Sequence, residues 1–214
     1  GLAGDALTDA DYNVAIGYQA LTSDVKGSRS VAVGYSALRD QSHSTATETY
    51  STAVGYQAGT SISTGLYNNL FGGLAGDALS TGDSNTAIGY ATLSSDTKGE
   101  RAIAIGEGAL FAQNFTSETS NYNVAIGYNA GYNVTTGIKN TIIGGLAGDQ
   151  LADADFNTAV GYGSLSTDDL GSKSTAVGTF ALEAQNYATA TDSHNTAVGY
   201  LAGGAVTTGV QNVF

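Results

Sequence analysis

The chain has 214 residues, with 30 glycines, no cysteine, proline, methionine or tryptophan, and a net charge of −12. Without cysteine it forms neither disulfides nor thiolate metal sites, and so acidic a chain lacks the basic footprint that nucleic acid or another polyanion requires. No run of about 18 apolar residues occurs, so no segment is expected to insert into a membrane as a helix.

The first predicted element is a strand that ends at Gly17. Asn13, Val14, Ala15, Ile16, Gly17 and Tyr18 alternate with a period of two, which places Val14, Ile16 and Tyr18 on one face and Ala15 and Gly17 on the other. A second short strand is read at Gln19-Ala20-Leu21, followed by a polar turn. The same motif returns at Ser30–Tyr35 and Ser51–Tyr56. Its last glycines recur as Gly17, Gly34, Gly55, Gly72 and Gly89, with successive spacings of 17, 21, 17 and 17. These four steps form a cycle that carries Gly17 onto Gly89 and continues through Gly199, with the string GLAGD restarting at Gly1, Gly73 and Gly145. Self-similarity of this kind is the signature of a solenoid. The fold class is therefore all-β, a parallel β-solenoid forming one repetitive segment over residues 1–214, with super-repeats 1–72, 73–144 and 145–214. It stops just short of completing a third cycle and reads as a slice of a longer fibre.

The column that begins with Ile16 continues as Val33, Val54, Phe71 and Ile88 and is β-branched apart from Phe71, as a buried strand column prefers. The Ala15 column is alanine except in the fourth rung of each cycle, where Leu70, Ile142 and Phe214 stand. That fourth rung also replaces the usual Tyr by Gly73 or Gly145, and Phe71 beside Gly73 reads as volume traded within a fitted interior. Both strand faces are apolar, whereas a thin roll has one interior. One face then needs a partner, which predicts self-association; the alternative is a monomer wide enough to bury both columns.

Polar columns recur as well. Asn13, Asn68, Asn85 and their successors read as a hydrogen-bonded ladder. Tyr12, Arg29 and Tyr50 precede the strand in successive rungs and predict a cation held between aromatic rings. Asp5, Asp11 and Asp24 each recur once per cycle. Calcium is the one cofactor such carboxylates bring into consideration, but the turns lack the spacing of a dedicated calcium loop, and no metal or cofactor ligand set is assigned. His43 and His194 occupy different positions of the cycle, and no catalytic constellation emerges, so the chain does not read as an enzyme.

The longest rung of each cycle places its extra length in one turn, Arg39 to Ser51 and its equivalents, and each copy varies in sequence. Variable loops on a rigid stack are where binding usually resides. Tyr50, Phe115, Tyr122 and Tyr187 are the candidate recognition residues, and Asn114 and Asn133 lie in N-x-T sequons, candidate glycosylation sites.

The rungs NVAIGYQAL at Asn13, SVAVGYSAL at Ser30, NTAIGYATL at Asn85 and NTAVGYGSL at Asn157 resemble the head repeat of YadA-type trimeric autotransporter adhesins, a repeat shared with bacteriophage tail fibres. The resemblance implies a left-handed parallel β-roll, a homotrimer, and a place outside the cell, on a cell surface or a virion. The chain departs from that pattern in its longer rungs. The expected function is a structural and adhesive fibre segment attaching to a cell-surface glycan or receptor. A self-assembling filament without a receptor, or an ice-binding solenoid built on Thr141, Thr158, Thr175 and Thr196, are the alternatives.

Overall fold

The computed structural model describes Gly1–Phe214 as strands, turns and bends, with no helix. It is a parallel β-solenoid of about eleven turns, and its residues fall into two compact units. In the first unit (1–102 and 114–120) the strands are β1 (Val14–Ile16), β2 (Gly27–Ser28), β3 (Val31–Val33), β4 (Thr47–Glu48), β5 (Thr52–Val54), β6 (Asn69–Phe71), β7 (Thr86–Ile88), β8 (Gly99–Glu100) and β10 (Thr119–Ser120). The second unit (103–113 and 121–214) contains β9 (Ile103–Ile105), β11 (Val124–Ile126), β12 (Thr141–Ile143), β13 (Thr158–Val160), β14 (Gly171–Ser172), β15 (Thr175–Val177), β16 (Thr191–Asp192) and β17 (Thr196–Val198).

Within each unit the long strands stack in parallel and in phase. In the first, β1 pairs with β3, β3 with β5, β5 with β6 and β6 with β7, so that Ala15, Ala32, Ala53, Leu70 and Ala87 are register partners in turn. In the second, the order β9, β11, β12, β13, β15, β17 aligns Ala104, Ala125, Ile142, Ala159, Ala176 and Ala197 in the same way. The shortest strands, β2 and β4, β8 and β10, and β14 and β16, pair separately, each pair joining a long rung to the rung before it.

The recurring glycine is obligatory for a local reason. Gly17 has φ 127° and Gly34 has φ 139°, conformations closed to other residues. A Cβ at Gly17 would lie 2.3 Å from the carbonyl oxygen of Gly34, and one at Gly34 would lie 2.2 Å from that of Gly55. Close rung-to-rung approach at this corner therefore fixes the motif.

The segment after that glycine is a turn, which corrects the expectation of a second strand. Gln19 and Leu21 lie at φ 56° and 52°, on either side of the buried Ala20, and the alternation recurs at Ser36 and Leu38. Left-handed residues break the strand pleat. Even so, the segment hydrogen-bonds from rung to rung, Leu21 N to Ala37 O at 3.0 Å and Ser36 N to Tyr18 O at 2.9 Å. It forms the wall opposite the strands.

The interior lies between these two walls, and the face assignment is a second correction. Ala32, Ala53, Leu70 and Ala87 are fully buried, whereas Ile16 is 59% exposed, Ile88 39% and Val198 62%. Leucines from the opposite wall reach across the thin roll, so only small side chains fit on the inward strand face. The bulky β-branched column is left outside. Volume is indeed traded, but between Leu70 and two glycines of the opposite wall: a Cβ on Gly59 would lie 2.7 Å from Leu70 Cδ1, and one on Gly76 would lie 2.9 Å from Leu70 Cδ2. Phe71, 40% exposed, takes no part. That opposite column runs Gly4, Leu21, Leu38, Gly59 and repeats every cycle. Where it is leucine, the residue three places later is Asp or Gln; where it is glycine, an aliphatic residue such as Ile62 or Leu79 fills the space.

Candidate functional site

Two surfaces carry the chemistry. The first is the outward strand face, where Val14, Ile16 and Tyr18 are all exposed and the tyrosines of successive rungs stack: Tyr18 on Tyr35 with ring centroids 5.5 Å apart, and Tyr35 on Tyr56 at 5.4 Å. In the second unit Thr141, Thr158, Thr175 and Thr196 share this outward face with Ile143, Val160, Val177 and Val198, each two places further on. The asparagine column points inward instead. Asn68 Nδ2 donates to Gly82 O at 2.8 Å while its Oδ1 accepts from the Asn85 backbone at 3.0 Å, and Asn85 repeats the pattern with Gly99 and Ala102. This ladder is structural: its amides bond chiefly to backbone, and amide meets amide within the column where Asn212 Nδ2 donates to Asn195 Oδ1 at 3.2 Å.

The second surface is built by the long rung. Its extra residues form β4, which lies beside β2 and brings Glu48 next to Arg29. Arg29 Nε donates to Glu48 Oε1 at 3.0 Å, and Tyr50 Oη donates to Glu48 Oε2 at 2.8 Å. The guanidinium carbon lies 5.0 Å from the Tyr12 ring centre and 5.6 Å from that of Tyr50, the expected cation between two aromatics. These contacts set the charges: the Tyr50 hydroxyl and then Arg29 hold the Glu48 carboxyl below its ordinary value, and Glu48 raises Arg29. A shallow cavity of about 210 Å³ opens here, lined by Asp11, Tyr12, Ser28, Arg29, Ala46, Thr47 and Glu48.

The candidate recognition residues divide. Tyr50 and Tyr122 are exposed, Tyr50 with its ring stacked on Tyr67 at 6.0 Å. Phe115 and Tyr187 are only 6% and 5% exposed and present no recognition surface. They stand one and two full cycles after His43, and all three rings turn inward to close the long turn over the buried aspartate column. The backbone of Phe115 donates to Asp96 Oδ1 at 3.1 Å, and Tyr187 Oη donates to Gly209 O at 2.7 Å. Of the sequon residues, Asn114 is exposed and its Oδ1 accepts from Thr97 Oγ1 at 3.1 Å; Asn133 is half-buried and its Nδ2 donates to Gln150 Oε1 at 3.3 Å.

The buried polar cluster under the long turn escapes a reading of the sequence. Gln41 Nε2 donates to Asp24 Oδ2 at 2.6 Å and to Ser30 Oγ at 2.9 Å, Gly27 N and His43 N donate to Asp24 Oδ1, and His43 Nδ1 lies 3.4 Å from the same oxygen. Burial opposes the charge of Asp24, yet His43 and Gln41 outweigh it and hold the carboxyl at about 2. Asp168, the same position two cycles later, faces Tyr187 instead of histidine, and burial pushes it up despite Gln185 and Gly171. The signal available is the shared phase of His43, Phe115 and Tyr187 in the cycle. The acidic columns stay apart: no group of three or more His, Asp or Glu side chains converges in a way that could hold a metal ion. No helix is long and apolar enough to cross a membrane.

Fold and surfaces define a repeat protein, a parallel β-solenoid whose outward strand face is apolar and aromatic. A family model, the YadA head domain repeat, matches residues 14–37 and 42–58 in two copies, and the chain carries a YadA-like head repeat. Comparison with curated proteins and with solved structures returned no match.

Proposed function

We propose that this chain is a non-enzymatic segment of an extracellular attachment fibre, displayed on a cell surface or a virion, in which three copies associate through their outward strand faces. The observation that carries this reading is the outward apolar column, in which Ile16, Phe71, Ile88, Ile143 and Val198 are exposed and Val33, Val54, Ile126 and Val160 are half-buried. Each such side chain gains roughly 1.5 to 3 kcal/mol on burial, and an apolar stripe repeated rung after rung is a surface made to be covered. The YadA head repeat is of adhesin type and supports the same reading. Sedimentation equilibrium should give three times the 21.5 kDa chain mass, and the assembly should attach to cells bearing the right glycan or receptor. A monomer at micromolar concentration would overturn the assembly. A trimer that attaches to no cell surface would favour a filament without a receptor.

A second reading has one observation behind it. The outward threonines of the second unit alternate with β-branched residues on a regular strand face, the kind of ordered surface an ice-binding solenoid presents. Thermal hysteresis decides between them, since an attachment fibre shows none.

A further inference from the structure

We infer that the outward strand face is fitted to further copies of this same chain, and that Glu107 gates their association, opposing it when ionised and permitting it when protonated. The inference rests on the assembly proposed above and adds its regulation. In the second unit β9 carries Ile103 and Ile105 outward and runs on through Gly106 to Glu107, which is exposed. Ile105 is in register with Ile126, so Glu107 and Tyr128 hold equivalent places in successive rungs. The other outward positions of this unit are Ile, Val, Thr, Tyr or Gly, and those of the first unit are equally uncharged. Tyr35 and Thr179 stand in the place of Glu107 one cycle before and one cycle after. Glu107 also has no cation: the arginine and lysine ion pairs are Arg29 with Glu48, Arg39 with Asp40, Arg101 with Glu100 and Lys173 with Asp192.

The spacing of the face selects its partner. Its side chains recur at every rung, about 4.8 Å apart, so a partner that meets each rung alike must carry the same repeat. Another copy of the chain supplies it, as identical segments do where two sheets pack face to face. A charged partner of another kind finds no complement, since Glu107 is the one charge on the face.

Symmetry turns that one charge into a cluster. Copies related by a closed rotation axis place identical residues at one height, so the Glu107 carboxylates of all copies converge there. Around them each chain presents Ile105, then Val124, Ile126 and Tyr128 of the next rung, then Thr141, Ile143 and Gly145. Tyr90 holds the same place in the preceding rung of the sequence. The phenols of Tyr90 and Tyr128 are thus the titratable neighbours, and no cation faces the cluster. Like charges so placed repel, and apolar surroundings add to the cost. The assembled state therefore takes up protons that the separate chains do not hold, so association is strongest at low pH and weakens as pH rises.

The test is sedimentation of the full chain over a range of concentrations, with circular dichroism beside it, between about pH 5.5 and about pH 8. That window stays above the pI of about 4.1, so loss of net charge does not by itself precipitate the protein. The wild type should assemble more readily at the acid end, and added salt should help it at neutral pH. Glu107→Gln should assemble at neutral pH at a concentration about tenfold lower than the wild type, or lower still, and lose most of the response to pH and salt. Glu107→Tyr, which installs the residue found at 35, should do the same, whereas Glu107→Asp should retain the wild-type response. Glu118→Gln, which removes an exposed charge from a turn, should leave association as it was. A Glu107→Gln protein with the midpoint and pH response of the wild type, or a Glu118→Gln protein that gains as much, would overturn the inference. The assembly itself would still stand if Ile88→Asp abolished it. Association absent from every variant at every pH would remove the assembly and this inference together.

Discussion

Leu70→Ala and Gly76→Ala, made singly and together, probe the interior through a thermodynamic cycle. Leu70 is fully buried, and its truncation removes most of a leucine from between the two walls, which costs about 2 to 5 kcal/mol. The methyl introduced at Gly76 would sit 2.9 Å from both Leu70 Cδ2 and Leu79 Cδ1, at a backbone φ of 58°. Overpacking of that kind costs about 1 to 3 kcal/mol, and the left-handed conformation adds about 1 kcal/mol or slightly more for a residue with a Cβ. In the double variant the Leu70 clash disappears while the strain remains. The pair should therefore be less destabilised than the sum of the singles, by about 1 kcal/mol, within the range seen for touching residues. Urea unfolding followed by far-UV circular dichroism measures all three. Gly73→Ala is the control, since its Cβ would lie 3.6 Å from the exposed Tyr90 ring, and it should change stability by less than about 0.5 kcal/mol. Additive singles, or a Gly73 variant as damaging as the Gly76 variant, would refute this account of the core.

Ile88→Asp should leave the isolated chain folded, because Ile88 is 39% exposed, while abolishing association; sedimentation and circular dichroism read the two effects separately. The Asp24 carboxyl, held at about 2 against an ordinary 3.8, contributes stability that is fully present above pH 3.8 and is lost as pH falls through about 2. His43→Phe, which installs the residue found at 115, should accordingly move acid unfolding to higher pH, and an unchanged acid limb would show that His43 does not hold the charge. Asp168 has the opposite sign, its contribution being complete below pH 3.8 and declining as pH rises through its raised folded value, so Asp168→Asn should stabilise the neutral-pH protein relative to Asp24→Asn. Shortening the turn between Arg39 and Tyr50 to the length of its neighbours should destabilise the protein in a thermal melt, because the deletion disrupts Gln41, His43 or β4 and leaves Asp24 without its donors.

The architecture is legible in the sequence because its cause is local and repeated. A residue at φ near 130° beside a neighbouring carbonyl must be glycine in every rung, and eleven glycines in one phase expose the stack even in a single sequence. Which face turns inward is not legible. Ile16 and Ala15 are both apolar, and the choice depends on Leu21 and Leu38 reaching from the other wall, a contact with no counterpart in the alternation of the strand itself. The cation and aromatic column is legible because its members are neighbours in successive rungs. Phe115 and Tyr187 pass for surface residues because an aromatic ring in a variable turn looks the same from sequence whether it points to solvent or closes over a buried carboxylate. Their shared phase with His43 holds the answer. The long turn likewise reads as a variable binding loop, whereas it also contributes β4 and the amide that satisfies Asp24.

The glycine and leucine alternation of the inner wall also governs how such a gene can change. Each rung is packed for its particular neighbours: a glycine rung accommodates Leu70 or Ile142, and a leucine rung accompanies a buried Asp or Gln. Insertion or loss of one rung would set mismatched volumes against each other and strand a carboxylate without its amide. Exchange between copies one full cycle apart, by contrast, restores every junction, and the identical GLAGD strings at Gly1, Gly73 and Gly145 are natural points for misaligned recombination. Lineages carrying this repeat should therefore differ in length by whole cycles of four rungs, never by a single rung.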